Sequence, residues 1–148
     1  RAYSETMART GAAGRYLYPT SYFGRLLLSE RSWLLLAERE GEAMAGAIAA
    51  ASDGHLHYYL GGTADEALGD SPMKNLFWAM IAHGAELGLP VNLGGGMTAG
   101  DSLDDFKRGF ASSQVPWHTH EAICDPEAYE ELSAAAEPPE GFFPAYRR

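Results

Sequence analysis

Apolar residues with helical spacing open the chain. A helix is predicted over residues 1–11, because Tyr3, Met7 and Thr10 would lie on one side of it. A second helix is predicted to begin near Thr20, and its apolar positions with the same spacing are Tyr22, Phe23, Leu26 and Leu27. Two helices are therefore expected before any strand.

Three strand patterns follow these helices. Residues 33–38 (WLLLAE) form a continuous apolar run, which is typical of a strand covered on both faces. Residues 43–51 are rich in alanine and would suit a helix by propensity, but the turn residues on either side favour a hairpin strand. Residues 55–60 (HLHYYL) form the third pattern. Together the three patterns predict a meander.

A long amphipathic helix is predicted next, from Ser71-Pro72 to Gly88, with apolar positions at Met73, Leu76, Phe77, Met80, Ile81 and Leu87. A short strand over residues 90–93 follows and runs into three glycines. A helix between two strands of one sheet makes a crossover connection, so a mixed α/β sheet is expected. The strands at residues 55–60 and 90–93 should be neighbours that diverge at one end.

The remaining residues predict a short helix around residues 101–110 and a late strand over residues 115–123 (VPWHTHEAI). A final helix is predicted to open at Asp125-Pro126 and to extend through Leu132. From Glu137 the chain is rich in proline and is expected to be loosely held. We therefore expect one domain over residues 1–136 and a tail over residues 137–148.

Composition limits the classes of function. The formal net charge of −9 argues against a surface that serves as a nucleic-acid platform. Cys124, the single cysteine, allows neither an intramolecular disulfide nor a CxxC motif. No apolar run approaches the roughly 18–20 residues of a membrane span, and the polar start of the chain is unlike a signal peptide. A cytoplasmic protein is therefore expected.

Four stretches carry a family resemblance when they are taken in order: residues 3–9 (YSETMAR), 57–62 (HYYLGG), 92–96 (NLGGG) and 106–110 (FKRGF). They resemble the C-terminal acyltransferase domain of the Fem-type peptidyltransferases, within the wider GNAT superfamily. Asn92 stands where that family usually has aspartate before the LGGG. The resemblance implies a GNAT-like fold that lacks its usual first strand, because no strand pattern precedes the first helix here.

The resemblance implies transfer of an acyl or aminoacyl group to an amine. Fem-type enzymes transfer amino acids from aminoacyl-tRNA to a peptidoglycan precursor and usually contain two such domains, so an upstream GNAT-like domain is the implied partner. The acyl donor is then either aminoacyl-tRNA or acetyl-coenzyme A, and the acceptor is a small-molecule amine or a peptidoglycan precursor. The alternative is a non-catalytic GNAT-like module that binds a partner domain, or one half of a two-domain enzyme.

Lys107 is the predicted catalytic residue. Acyl transfer to an amine develops negative charge on the carbonyl oxygen, and a fixed ammonium stabilises such an oxyanion. The resemblance gives this role to the lysine of an FKxxF signature, which Phe106 and Lys107 begin here. A solvated lysine on a short amphipathic helix is the alternative interpretation.

The other predicted substrate-binding residues are Arg9, Tyr58, Tyr59, Phe106, Gly94, Gly95 and Gly96. The glycines would let the backbone approach a phosphate or an acyl carbonyl. Arg9 would contact substrate phosphates if its helix lines the cleft. Adjacent residues of a strand face opposite sides, so at most one tyrosine points into a given cleft. Packing or surface positions are the alternative for the tyrosines and Arg9.

A conventional coenzyme A motif is missing from the segment before the long helix. This segment, residues 62–70, has no glycine-rich pyrophosphate loop, and its side chains Asp65, Glu66 and Asp70 would repel an anion. Amides at the start of the helix could still bind phosphate. We expect weak or no binding of acetyl-coenzyme A.

Two HxH pairs, His55/His57 and His118/His120, each place two imidazoles on one strand face and raise the possibility of zinc. The two predicted strands are not neighbours in the expected sheet, however, and no nearby carboxylate completes either set. No metal is therefore predicted.

Overall fold

The computed structural model describes residues 1–98, 100–137 and 141–147. The chain divides into two compact units, residues 1–112 and residues 113–148. The elements are α1 (Ala2–Arg9), α2 (Thr20–Leu26), β1 (Ser32–Arg39), β2 (Glu42–Ser52), β3 (His55–Thr63), α3 (Met73–Leu87), β4 (Val91–Asn92), α4 (Ser102–Arg108) and α5 (Pro126–Ser133), with 3₁₀ turns at Gly14–Tyr16 and Asp65–Asp70. Among the described helices, none has both the length and the apolar character needed to cross a bilayer.

Four strands form one mixed sheet in the order β1-β2-β3-β4. The antiparallel pairs β1–β2 and β2–β3 confirm the predicted meander. Strand β4 pairs in parallel with β3, and α3 makes the crossover between them, as predicted. The parallel ladder contains only the pairs Leu56–Val91 and His57–Asn92. Beyond His57, β3 therefore continues without β4, and a gap opens between the two strands.

The core lies between the sheet and α3. Alternate alanines of β2 face α3 together with Leu56 of β3, and α3 contributes Phe77 and Met80. The alanine-rich segment is a strand because burial of most of its side chains, together with its pairing to both β1 and β3, outweighs its local preference for helix.

Strand β1 corrects one prediction, since it is covered on one face rather than on both. Trp33, Leu35 and Ala37 pack against the core, whereas Leu34 and Leu36 are about half exposed. β1 is an edge strand, and α1, which packs on the face of the sheet opposite α3, lies on β3 and β2. A continuous apolar run therefore did not distinguish an edge strand from a central one.

The strand predicted over residues 115–123 is wrong. In the part of the chain that the structure describes, this segment has no regular secondary structure, and Val115 and Trp117 are 85% and 86% exposed. Pro116 has no N–H to donate, and an alternating pattern forms a strand only where a neighbouring strand completes its hydrogen bonds.

The second unit contains the predicted final helix as α5. Asp125 caps it by accepting a hydrogen bond from the Ala128 amide at 3.1 Å. Residues 141–147 are packed rather than loosely held, because Phe143 stacks on Tyr129 and the Tyr129 hydroxyl accepts from the Ala145 amide at 3.0 Å. Residues 138–140 and 148 of the predicted tail lie outside the described residues. The domain boundary at residue 136 stays a prediction.

Helix α1 packs so closely against β3 that the backbones of the two elements are in contact. A Cβ atom on Gly62 would lie 2.6 Å from both the Ala2 carbonyl oxygen and the Tyr3 Cα, so only glycine allows this approach. Thr6 reinforces the contact, because its Oγ1 accepts from the Thr63 amide at 2.9 Å and lies 3.2 Å from the Thr63 carbonyl oxygen.

A β-bulge in β3 is centred on Tyr59. Ile48 pairs with Leu60 while Ala49 pairs with Tyr58, which leaves Tyr59 without a partner on β2. Tyr58 faces α3, where its ring meets Phe77 at a centroid distance of 5.1 Å. The Tyr59 hydroxyl instead pairs with that of Tyr22 from α2. The two tyrosines thus face opposite sides of the sheet, as predicted.

Candidate functional site

A cavity of about 540 Å³ lies where β3 and β4 separate. It is lined by Leu26, Ala50, Ser52, His57, Tyr58, Tyr59, Asn92 and Gly94. His57 is the register partner of Asn92 on β4 and of Ala50 on β2. Residues directly opposite in a sheet point to the same face. These three side chains therefore form one wall of the cavity, on the face opposite the α3 core.

The hydrogen bond of His57 defines its tautomer. The ring Nε2 lies 3.2 Å from the Ser52 carbonyl oxygen. A carbonyl only accepts, so Nε2 carries a proton, and Nδ1 of the neutral ring has a free lone pair. Nothing in the described residues hydrogen-bonds this Nδ1. His55, with its ring centroid 5.8 Å away, is bonded in the opposite sense, because its Nδ1 donates to the Asp53 carbonyl at 2.9 Å.

Asn92 is the last residue of β4, and its side chain stabilises a turn at the point where β3 and β4 separate. Its Oδ1 accepts from the Gly94 amide at 2.8 Å, which leaves the side-chain NH₂ as a donor at the cavity. Gly94 has a φ of +69°, a left-handed conformation that favours glycine. Asparagine can hold this turn through its amide oxygen, so the turn does not depend on a negative charge at position 92.

The cavity tyrosines are hydrogen-bond donors rather than bases. Burial raises the pKa of Tyr58 to about 12, with a smaller contribution from Tyr3. The hydrogen bond with Tyr22 is the main cause that raises the pKa of Tyr59 to about 12, and burial adds to it. Both hydroxyls therefore stay protonated at neutral pH.

Lys107 lies on the α3 face of the sheet beside the gap. It is only 8% exposed, its Nζ donates to the Gly95 carbonyl at 2.6 Å, and the same atom lies 5.3 Å from the centre of the Tyr58 ring. Burial lowers the pKa of Lys107, an effect that Asp101 and Asp104 partly oppose. Lys107 is therefore not the solvated lysine of the alternative interpretation.

The other predicted residues near Lys107 make contacts that fix the segment around it. Phe106 packs on Phe77 at a centroid distance of 5.5 Å. Gly94 lines the cavity, Gly95 accepts from Lys107, and a Cβ on Gly96 would overlap the Asp101 carboxylate.

Asp101 stabilises the segment between β4 and α4 through hydrogen bonds to its backbone. Its carboxylate accepts from the amides of Met97, Thr98 and Asp104 at 2.6, 3.0 and 2.8 Å. Backbone hydrogen bonds, that of Thr98 first, lower the pKa of Asp101. The carboxylate thereby joins the glycine segment to the N-terminus of the helix that carries Lys107.

Arg9 is not among the residues that line the cavity. Its guanidinium pairs with Asp65 and contacts Thr6 Oγ1 at 3.1 Å. Glu66 and Asp70 are paired in the same way, with Arg1 and Arg39. The acidic side chains that were expected to repel a pyrophosphate are therefore bound to arginines.

The start of α3 still offers few free amides to an anion. The Lys74 and Asn75 amides bond the carbonyls of Ser71 and Pro72 at 3.0 and 3.1 Å. In the segment before α3, the Asp65 amide donates to the Glu5 carboxylate at 2.7 Å. A pyrophosphate at this helix start would have to displace these bonds.

No group of three or more His, Cys, Asp or Glu side chains within residues 1–98, 100–137 and 141–147 is arranged to hold a metal ion.

Sequence reasoning missed the cavity roles of His57 and Asn92. In the sequence, His57 belongs to a possible metal-binding pair and to a stretch of family resemblance, and Asn92 departs from the family pattern at one position. The available signal was their position, since each lies on one of the two strands predicted to be neighbours. The register that makes them partners is visible only in the structure.

Comparison with known proteins identifies the family. The acetyltransferase (GNAT) domain family matches residues 1–108, and no curated protein matches the chain in sequence. Among solved structures, the chain is similar to an aminoglycoside acetyltransferase, meta-AAC0020, from an uncultured soil metagenomic sample, in complex with trehalose. The TM-score is 0.60 at 15% identity, over 82% of this chain and 87% of that one, and this likeness shows the fold. The chain therefore belongs to the acetyltransferase (GNAT) domain family, whose reaction is acyl transfer.

Proposed function

We propose that the chain transfers an acyl group to an amine acceptor bound in the cavity between β3 and β4, and that Lys107 stabilises the oxyanion of this reaction. The observation that supports the proposal is the buried ammonium of Lys107 beside the strand gap. Such an ammonium is poorly hydrated, as its lowered pKa reflects. Negative charge that develops within its reach is stabilised more strongly than it would be in water.

The two faces of the gap would hold different parts of the reaction: Lys107 lies on one face, and the amine would bind on the other. The amine nitrogen attacks the carbonyl carbon of the acyl donor, and the carbonyl oxygen becomes negatively charged. An ammonium has three N–H donors, and Lys107 uses one of them on Gly95. The remaining two are suited to the oxyanion. The cavity with His57 and Asn92 lies on the other face and would hold the amine.

We favour an aminoacyl ester over acetyl-coenzyme A as the donor. The support is the start of α3, where the Lys74 and Asn75 amides already have intramolecular partners. Titration calorimetry with acetyl-coenzyme A is expected to give a dissociation constant weaker than about 100 µM. Low-micromolar binding would instead make acetyl-coenzyme A the donor.

The Fem-like specificity within this proposal rests on the four sequence stretches that resemble that family. A peptidoglycan precursor is the proposed acceptor, an upstream GNAT-like domain is the proposed partner, and the cytoplasm is the proposed location. The test is a transfer assay on the full-length gene product with radiolabelled aminoacyl-tRNA and a precursor peptide that has a free side-chain amine. Formation of labelled amide is the expected result. A folded protein that transfers from neither donor would favour the non-catalytic module.

A further inference from the structure

We propose that His57 is the general base of the transfer reaction and takes the proton of the attacking amine at its Nδ1. The proposal rests on the proposed function, because it assigns a role at the same cavity. It is carried by the position of His57 in the cavity wall and by the hydrogen bond that holds Nε2 on the Ser52 carbonyl. In the neutral ring this bond leaves Nδ1 as a proton acceptor.

The other cavity-lining groups are unsuited to this task. No aspartate or glutamate lines the cavity among the described residues. Tyr58 and Tyr59 keep their protons at neutral pH because their pKa values are raised. Asn92 has no basic nitrogen. His57 is thus the one cavity-lining side chain in this part of the structure with a basic lone pair.

The proton balance of the step is complete without another reactant. The neutral amine forms a C–N bond to the acyl carbon, and its nitrogen gives one proton to Nδ1 of His57. The donor's C–O or C–S bond then breaks, and the departing oxygen or sulfur takes that proton from the imidazolium. The products are an amide and the protonated leaving group, and His57 returns to its neutral form.

The titratable groups that face His57 are few. On its own strand these are His55 and Tyr59, and α2 adds Tyr22, whose hydroxyl is hydrogen-bonded to that of Tyr59. The cavity-lining residues of β2, β4 and α2 are the uncharged Ala50, Ser52, Asn92 and Leu26. Of all these residues, only His55 carries a second imidazole. Replacement of each histidine in turn therefore separates their contributions to a pH profile.

The kinetic test compares His57→Gln with the matched control His55→Gln in the full-length protein, using aminoacyl-tRNA and the precursor peptide. Glutamine can still donate to the Ser52 carbonyl but cannot act as a base. His57→Gln should lower kcat by about 10²–10⁴, keep KM within about twofold and abolish the acid limb of the kcat profile. His55→Gln should leave all three unchanged. If His57→Gln retains kcat and its acid limb, the proposal is overturned.

A second measurement does not depend on turnover. Imidazole ¹⁵N NMR of the wild-type protein should show the Nε2–H tautomer at His57, and Nα-acetyl-lysine amide, as an amine probe, should shift the His57 Nδ1 resonance but not that of His55. An Nδ1–H tautomer, or no response to the probe, overturns the assignment even if transfer is observed. The expected tautomer and shift without transfer from either donor would support His57 as the amine contact and refute the proposed function.

Discussion

The Nζ atom of Lys107 donates a 2.6 Å hydrogen bond to the carbonyl oxygen of Gly95. This bond connects α4 to the glycine segment that follows β4. It also holds the ammonium beside the Tyr58 ring. One side chain therefore contributes to the local structure and to the proposed chemistry, and experiments on Lys107 must measure both.

Lys107→Met should lower kcat for acyl transfer by about 10²–10³, the loss typical of one oxyanion donor. Methionine keeps most of the packing and removes a buried charge, which offsets the loss of the bond to Gly95. The Tm is therefore expected to stay within about 4 °C of the wild-type value. Lys107→Arg should not restore the rate, since a planar guanidinium directs its donors differently. Transfer kinetics that are unchanged in the methionine variant would contradict the assigned role.

The lowered pKa of Lys107 predicts a pH dependence of stability. Between the folded and the unfolded pKa of this lysine, the folded state binds fewer protons than the unfolded state. The contribution of Lys107 to the free energy of unfolding therefore rises with pH across that window and is lost as pH falls through the folded pKa. Urea unfolding at a series of alkaline pH values should show this rise in the difference between wild type and Lys107→Met. A difference that does not vary with pH would argue against a desolvated ammonium.

Asp101→Ala should lower Tm, because three backbone amides lose their acceptor. The pKa of Asp101 is lowered in the folded state, so its stabilising contribution is present above the unfolded value and is lost as pH falls through the folded value. Thermal unfolding should therefore show the variant approaching wild type at acidic pH. Asp105→Ala is the matched control, since Asp105 is an acidic residue in the first turn of α4, whereas Asp101 is the N-cap of that helix. Equal effects of the two variants would contradict this account.

Gly62→Ala should destabilise the protein by about 1–3 kcal/mol, because its Cβ would overlap the backbone of α1. Gly69→Ala is the control, as no atom lies within 4 Å of its Cβ position. The control should be neutral or slightly stabilising. Denaturant unfolding measures both changes. A tolerated Gly62→Ala variant would mean that α1 is not docked on β3 as described.

Local signals in the sequence were sufficient to predict most of the helices and strands. The periods of apolar residues and the turn residues between them predicted α1, α2, the meander of β1 to β3, and α3. They failed at residues 115–123, where the alternating pattern has no partner strand in the described residues. Hydrogen bonding between strands depends on residues far apart in sequence, so a pattern alone cannot supply it.

The sequence by itself determined the mixed α/β sheet and the family resemblance, because both follow from residue order along the chain. Only the tertiary structure decided that Lys107 is buried, that Arg9 is paired with Asp65, and that His57 and Asn92 are partners at the strand gap. The bulge at Tyr59 was likewise absent from any local pattern. Burial, ion pairing and register are set by distant elements that pack together, and spacing along one strand or helix does not encode which element it meets.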